Sequence, residues 1–135
     1  MRKELERLRA KEAGTTAAEL LANAPTVGGV KLVVHRISGE MRDLMRLSKE
    51  ICEDPKATAI LGATSDESSS LIVSHGSDVA IDSTDVLAAA LPVIGAKGGG
   101  RSDFAQGSGP ATDRIEEALL AARREAEARL AAQVG

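Results

Sequence analysis

The chain has 135 residues, 43% of them hydrophobic and 27% charged, and a formal net charge of −3. This length and apolar content fit one compact domain, and the acidic balance excludes a uniformly basic nucleic-acid-binding protein. No apolar run approaches the roughly 20 residues of a membrane span, and no signal-peptide pattern opens the sequence. A single cysteine, Cys52, excludes an internal disulfide and predicts a reducing, cytoplasmic location.

Apolar patterning and turn residues divide the chain into alternating helices and strands. Helices are indicated by apolar residues at three- to four-residue spacing, and strands by β-branched runs between turn residues. In chain order, the predicted elements are a helix-prone lead-in over residues 1–24, a strand over 30–36, an amphipathic helix over about 40–53, strands over 57–63 and 70–74, a helix from Ser83 or Thr84 to Leu91, and a last strand over 101–106. Residues 93–94 fit either a short strand or a lead-in to the glycines that follow.

The C-terminal helix has the strongest signals. Asp113 is placed to cap it, and Glu116 stands three positions later as the partner in a capping box. Its apolar stripe is narrow and rich in alanine, which suits close packing against another helix. The stripe consists of Ile115, Leu119, Ala122, Ala126 and Leu130. We expect its partner to be the N-terminal helix, from the same chain or from a second copy in a homodimer.

The order of these elements predicts an α/β fold. In it, a mixed β-sheet is covered by helices, with further helices flanking it at the N- and C-terminal ends. The first strand–helix–strand unit is expected to be a right-handed parallel crossover. We predict three stretches: a helical lead-in over 1–27, an α/β domain over 28–112 and a C-terminal amphipathic helix over 113–135.

A glycine-rich stretch followed by an arginine is the strongest candidate for a binding site. Glycines let backbone N–H groups approach a ligand closely, and a guanidinium beside them suits a phosphate or a sugar–phosphate backbone. The residues predicted to form this anion-binding loop are Lys97, Gly98, Gly99, Gly100 and Arg101. An ion pair between Arg101 and Asp103 is the simpler alternative. Gln106 is a further candidate contact, although a hydrogen bond to the loop backbone is its favoured role.

Cationic side chains are unevenly distributed along the chain. No Lys or Arg occurs over residues 57–96, whereas acidic residues recur there. The cations of the middle region lie in residues 31–56 and again at Lys97 and Arg101. One side of the molecule is therefore expected to attract a polyanion while another repels it.

A cationic stripe is predicted on the helix over residues 40–53. Arg42, Arg46 and Lys49 recur at helical spacing, which suits contact with RNA phosphates. The favoured explanation is the simpler one, in which Arg46 pairs with Glu50 and Lys49 with Glu53 on a solvated face.

Residues that usually carry chemistry are few. His35, His75 and Cys52 have no metal-ligand spacing, and we expect two hydrogen-bonded structural histidines and an inert core cysteine. Phe104 is the only aromatic residue, which argues against stacking of nucleic-acid bases on aromatic side chains. No catalytic residue, metal site or cofactor is predicted, and this favours a binding module over an enzyme.

Residues 98–107, Gly-Gly-Gly-Arg-Ser-Asp-Phe-Ala-Gln-Gly, resemble the signature of the DHH-associated domain in the form that closes alanyl-tRNA synthetases. The upstream strand, helix and second strand have the matching order, so the resemblance covers about residues 20 to 120. Related phosphoesterases commonly have histidine at the position of Arg101, which favours the synthetase branch. Lys97 departs from the synthetase form, which usually has a further glycine there.

The resemblance implies a C-terminal module that binds tRNA, with tRNA-Ala as the expected partner, and positions it for aminoacylation and editing. The ligase activity would then belong to other domains, and no cofactor is expected in this chain. The candidate RNA contacts are Lys97, Gly98, Gly99, Gly100, Arg101, Gln106, Arg42 and Arg46. Two alternatives stay open: an oligomerisation module, and the substrate-binding domain of a DHH-type phosphoesterase.

Overall fold

The computed structural model describes residues 17–38, 41–64, 68–79, 81–110 and 114–134. Helices and strands alternate along this part of the chain. In chain order they are α1 (Ala17–Asn23), β1 (Thr26–Val27), β2 (Val30–Ser38), α2 (Met41–Ile51), β3 (Ala57–Thr64), β4 (Ser68–His75), α3 (Ser83–Ala90), a 3₁₀-helix (Leu91–Ile94), β5 (Lys97–Gly100), β6 (Phe104–Pro110) and α4 (Ile115–Val134). The helix predicted before residue 17 and the predicted cap at Asp113 lie outside the described residues.

The strands of the described chain form one mixed sheet in the order β1-β2-β3-β4-β6-β5. β2 and β3 are parallel and are joined through α2, whereas every other neighbouring pair is antiparallel. The parallel register runs from Lys31 opposite Ala57 to Ser38 opposite Thr64. The predicted α/β class, with a mixed sheet covered by helices, is therefore confirmed.

The sheet separates two apolar clusters that different helices cover. On one face, α3, the 3₁₀-helix and α4 pack against strand residues that include Leu32 and Ile60. On the other face, α1 and α2 pack against residues that include Val33 and Leu61. Adjacent strand residues thus face opposite sides, as the two-residue repeat of a strand requires. Both faces of the central strands are buried, so β3 and β4 consist almost entirely of buried residues, either apolar or small hydroxyl side chains.

The described parts of the two terminal helices lie on opposite faces of the sheet. α1 packs against α2 and β2, whereas the apolar stripe of α4 is buried against α3 and the strands. The predicted pairing of these helices within one chain is therefore wrong for the described residues, because each helix covers a different apolar face. The stripe is already occupied within one chain, so a homodimer through it would require the α3 contacts to break.

The start and end of α3 follow from local chemistry. The Asp82 carboxylate caps the helix and accepts hydrogen bonds from the Thr84 N–H at 2.9 Å and the Thr84 hydroxyl at 2.6 Å. These hydrogen bonds hold the pKa of Asp82 below its ordinary value. Pro92 continues the chain into the 3₁₀-helix, so residues 93–94 are neither strand nor loop. Gly95, at φ 63°, then reverses the chain into β5.

The glycine-rich stretch is a strand and not a loop. Lys97–Gly100 forms β5, an exposed edge strand that pairs antiparallel with β6. β6 begins at Phe104 instead of Arg101, because residues 101–103 form the connection between the two strands. Glycine has a low strand propensity, so β5 carries no strand signal in its residue types.

Candidate nucleic-acid interface

β5 and β6 are joined by a tight connection, the hairpin turn (residues 101–103). The Arg101 N–H donates to the Phe104 carbonyl at 2.7 Å, and the Phe104 N–H donates back to the Arg101 carbonyl at 3.3 Å. At the end of β4, the His75 N–H donates to the Asp103 carbonyl at 3.1 Å. The hairpin turn is therefore fixed against the sheet and carries Arg101 at a defined place.

Side chains alternate between the sheet faces along β5 and β6, and this alternation assigns the candidate residues to one face. Phe104 packs in the cluster beneath α2, whereas its neighbour Ala105 is buried on the α3 side. Gln106 and its cross-strand partner Gly99 therefore lie on the α2 side, and so does Lys97. Lys97 and Gln106 are exposed, so the α2 side of the sheet is open at this edge.

The three glycines of β5 have different surroundings. A Cβ on Gly98 would collide with the backbone of Gln106 and Gly107, and one on Gly100 would collide with the Phe104 carbonyl oxygen. Close packing of β5 against β6 thus requires glycine at these two positions. A Cβ on Gly99 would meet no atom within 4 Å, so packing within the chain places no such requirement there.

The backbone N–H groups of β5 do not all face the same way. Arg101 and Phe104 form a hydrogen-bonded pair, and such pairs alternate with non-hydrogen-bonded pairs along an antiparallel ladder. The next hydrogen-bonded pair is therefore the one at Gly99, whose N–H is used within the sheet. The N–H groups of Gly98 and Gly100 point to the outer edge of β5, where no other strand of the described chain pairs with them.

α2 and the hairpin turn enclose a cleft of about 490 Å³, the α2–hairpin cleft. Arg46 and Lys49 from α2 and Arg101 from the hairpin turn give it three cationic side chains. Met45 and Phe104 supply apolar surface to the same cleft. The fold therefore unites two of the sequence motifs, the cationic stripe and the glycine–arginine stretch, at one site.

Acidic groups form only weak ion pairs with the cations of the α2–hairpin cleft. Arg101 Nε lies 3.5 Å from Asp103 Oδ1, which confirms the alternative predicted for Arg101, but the two side chains are 79% and 58% exposed. An exposed pair contributes little and exchanges readily for another anion. The ion pairs predicted for Arg46 and Lys49 within α2 are not formed among the described residues, because both side chains line the cleft.

Two further candidate residues lie outside the cleft. Arg42 is exposed in the first turn of α2 and does not line the cleft. The side chain of Gln106 is exposed and makes no hydrogen bond with a described residue. The hydrogen bond predicted between this side chain and the glycine backbone is therefore wrong, because the side chain stands on the α2 face opposite Gly99, whose N–H is used in the strand ladder.

The two histidines differ in their hydrogen bonding. His75 Nδ1 lies 2.8 Å from the Gly76 carbonyl oxygen, and its Nε2 lies 2.9 Å from that of Ser102, so the predicted structural role is confirmed. His35 Nε2 is buried with no hydrogen-bond partner among the described residues, and burial lowers the pKa of this imidazole. The prediction is thus wrong for His35, because β2 continues to Ser38 and places His35 within the strand.

Cys52 lies at the edge of the α2–hairpin cleft and is half-buried, not enclosed in the core. Its Sγ is 3.2 Å from the Ser74 hydroxyl oxygen. Burial raises the pKa of the thiol above its ordinary value, so the reactive thiolate is scarce at neutral pH.

Among the described residues, no group of three or more His, Cys, Asp or Glu side chains is placed to hold a metal ion. The expectation of no cofactor stays a prediction. None of the described helices is long and apolar enough to cross a membrane.

Comparison with known sequences identifies relatives over nearly the whole chain. Residues 29–128 match the family model of the DHHA1 domain. The alanine–tRNA ligase of Chromohalobacter salexigens is 35% identical over 136 residues, covering 96% of this chain and 15% of that protein. That of Mycolicibacterium gilvum is 31% identical over 132 residues, covering 91% of this chain and 15% of that protein. The chain thus spans about 15% of the length of these two ligases.

Solved structures share the fold. The C-Ala domain from Aquifex aeolicus alanyl-tRNA synthetase has a TM-score of 0.68 at 20% identity, covering 81% of this chain and 98% of that chain. RecJ from Thermus thermophilus, in complex with Mg²⁺, has a TM-score of 0.58 at 20% identity, covering 94% of this chain and 20% of that chain. Taken with the family match and the ligase relatives, the chain belongs to the DHHA1 domain family, in the form that alanine–tRNA ligases contain.

Proposed function

We propose that this chain is an RNA-binding module of an alanine–tRNA ligase or a close relative. It binds tRNA and positions it for aminoacylation and editing, which take place elsewhere in the enzyme. The observation that carries the proposal is the convergence of Arg46, Lys49 and Arg101 in the α2–hairpin cleft. Several cations around one concave site favour phosphate, and these three come from segments that only the fold unites.

Neighbouring groups extend this surface toward the edge of the sheet. Lys97 lies on the same open side as the cleft, and the N–H groups of Gly98 and Gly100 point to the outer edge of β5 beside it. Acidic side chains at the start of α3, Asp82 and Asp85, belong to the opposite side of the sheet. Local cations thus attract an RNA to this surface although the whole chain is acidic.

The kind of enzyme found among the relatives supports tRNA as the RNA that this chain binds. They are alanine–tRNA ligases, and a module of such an enzyme that carries a phosphate-binding surface would most simply hold its tRNA substrate. We propose tRNA-Ala as the partner and the cytoplasm as the location. The RNA contacts are assigned to Arg46, Lys49, Lys97 and Arg101, with Arg42 and Gln106 at the periphery.

Fluorescence anisotropy with labelled tRNA-Ala at several salt concentrations tests this function. We expect the wild-type chain to bind in a salt-dependent manner, and Arg46→Ala or Arg101→Ala to weaken binding. Each of these changes should lower the slope of log K against log salt by about one, because one phosphate contact is lost. Circular dichroism should show that both variants remain folded, since both side chains are exposed.

Arg124→Ala is the matched control. Arg124 is also an exposed arginine on a helix, but α4 lies on the opposite side of the sheet. We expect its affinity and salt slope to equal those of the wild type. Equal losses in all three arginine variants, or none in any of them, would contradict an interface on the α2 side.

A further inference from the structure

The α2–hairpin cleft contains the only Phe, Tyr or Trp side chain of the chain, Phe104. Its position follows from strand pairing, because Phe104 stands opposite Ser74 on the side of the sheet that α2 covers. The ring is half-buried, so part of it is open to the cleft. A single aromatic residue does not make an extended stacking platform, but it does provide a flat apolar surface at one site.

The walls of the cleft combine two kinds of surface. Met45, 44% exposed, and Phe104 present apolar surface, and the half-buried Cys52 adjoins them. Arg46 from α2 and Arg101 from the hairpin turn line the same cleft. A methionine at such a place adapts its shape to a ligand, because its side chain is unbranched and flexible.

A bound RNA backbone alone would contact only the cations of the cleft and not its apolar surface. Phosphates and riboses satisfy the cations, but they leave the apolar surface of Met45 and Phe104 exposed to water. A purely apolar ligand would cover that surface but leave Arg46 and Lys49 without an anion and Arg101 with only its exposed pair to Asp103. A nucleotide has both parts, a flat base and a phosphate, and the cleft volume lies within the range of about 300–1,000 Å³ typical of small-ligand sites.

We infer that the α2–hairpin cleft takes one unpaired nucleotide of the bound RNA. The base lies against Phe104 and Met45, and its phosphate lies among Arg46, Lys49 and Arg101. Paired bases do not fit this arrangement, because both faces and the pairing edge of a base inside a helix are already covered. This inference rests on the proposed function, but it adds a base contact to what is otherwise recognition of the RNA backbone.

Two pentaribonucleotides of uniform sequence provide the test, one intact and one with an abasic residue at the central position. Base–aromatic stacking typically changes affinity by about tenfold or more per base. We therefore expect the wild-type chain to bind the intact strand at least about fivefold more tightly than the abasic strand. Equal affinity for the two strands would overturn the inference, and this comparison needs no substitution in the protein.

Two variants separate the base contact from the phosphate contact. Phe104→Leu keeps an apolar side chain but removes the ring, so it should weaken binding of the intact strand and leave the abasic strand unchanged. Arg101→Ala should weaken both strands equally. Equal weakening of both strands by Phe104→Leu would contradict a stacked base.

If Arg101→Ala weakens tRNA binding while the two strands bind alike, this inference fails and the proposed function stands. If no RNA binds, both fail.

Cys52 provides an independent readout in the unmodified chain. Its thiol lies at the edge of the cleft, so a nucleotide seated there should hinder a thiol reagent. We expect saturating intact pentanucleotide to slow the reaction of Cys52 with N-ethylmaleimide severalfold, and the abasic strand to slow it less. An unchanged rate with the intact strand at saturation would contradict occupancy of the cleft.

Discussion

His75 holds the hairpin turn through both its backbone and its ring. Its N–H donates to Asp103, and its ring nitrogens face the carbonyl oxygens of Gly76 and Ser102 at 2.8 and 2.9 Å. Carbonyl oxygens only accept hydrogen bonds, so the ring nitrogen that carries a proton is the donor. The side chain acts on the candidate interface indirectly, by fixing the turn that carries Arg101.

We expect His75→Ala to loosen the hairpin turn. Loss of one such hydrogen bond should weaken RNA binding by about two- to tenfold and speed hydrogen exchange at the Arg101 N–H. Anisotropy and amide exchange followed by NMR measure these two effects. Ser77→Ala, an exposed change in the following turn, is the control and should alter neither. A His75→Ala protein with wild-type exchange at Arg101 would show that the ring does not position the turn.

Several residue roles were predictable, and the exceptions have physical reasons. The cationic stripe with Arg46 and the candidate Arg101 were visible in sequence, but their meeting in one cleft depends on strand order, which no local pattern reveals. A count of aromatic residues argued against base stacking, yet a count carries no information on where Phe104 lies. The unpartnered His35 Nε2 was likewise invisible, because hydrogen-bond partners in a sheet are set by neighbouring strands.

At the scale of elements, most helices and strands were predictable because their apolar patterns are strong. β2, β3, β4, α2 and α3 all appear where apolar spacing placed them, to within a few residues at their ends. β5 was missed because glycines have no side chains from which a strand pattern can be recognised. The structure supplies the reason for these glycines: at Gly98 and Gly100, only the absence of a Cβ allows β5 to pack this closely against β6.

Alanine substitutions at neighbouring glycines should have opposite effects on stability. Gly98→Ala forces a Cβ into the backbone of β6, so we expect it to lower the free energy of unfolding by about 1–3 kcal/mol. Gly99→Ala meets open space at a position without a positive φ, so stability should stay equal or rise by about 0.4–1 kcal/mol. Urea denaturation followed by circular dichroism measures both changes. Similar destabilisation by the two would show that β5 does not have this register.

At the scale of the whole molecule, arginines and carboxylates occur on both sides of the sheet, and the α2 side is distinguished by the meeting of Arg46, Lys49 and Arg101 in one cleft. The cations of the candidate interface lie on the α2 side, whereas Asp82 and Asp85 begin α3 on the other. The uneven distribution of charge along the sequence predicted one attracting and one repelling side, but α4 adds Arg123 and Arg129 to the side that carries Asp85. An acidic net charge is thus compatible with binding to a polyanion, because the field near the surface depends on local charges.

His35 should make stability depend on pH. Its folded-state pKa lies below the unfolded value of about 6.5, so the unfolded chain binds the proton more readily. The free energy of unfolding should therefore have its full value above about pH 6.5 and decline as the pH falls through the folded-state pKa. We expect His35→Gln to reduce this decline between about pH 7.5 and 5.5, as measured by urea denaturation. Hydrogen bonds from Lys31 and Thr84 hold the pKa values of Asp54 and Asp82 below the ordinary value of an aspartate, so neither carboxylate contributes to this decline. An identical pH dependence in both proteins would contradict an effect of His35.

The location of Phe104 also determines how the interface can be observed. The chain has no Trp and no Tyr, so its only carbon-bound aromatic protons belong to the rings of Phe104, His35 and His75. Two of these three rings line the α2–hairpin cleft, and the third lies in β2. An unlabelled sample therefore carries its own reporters: a ligand in the cleft shifts the signals of Phe104 and His75, while His35 serves as the internal reference.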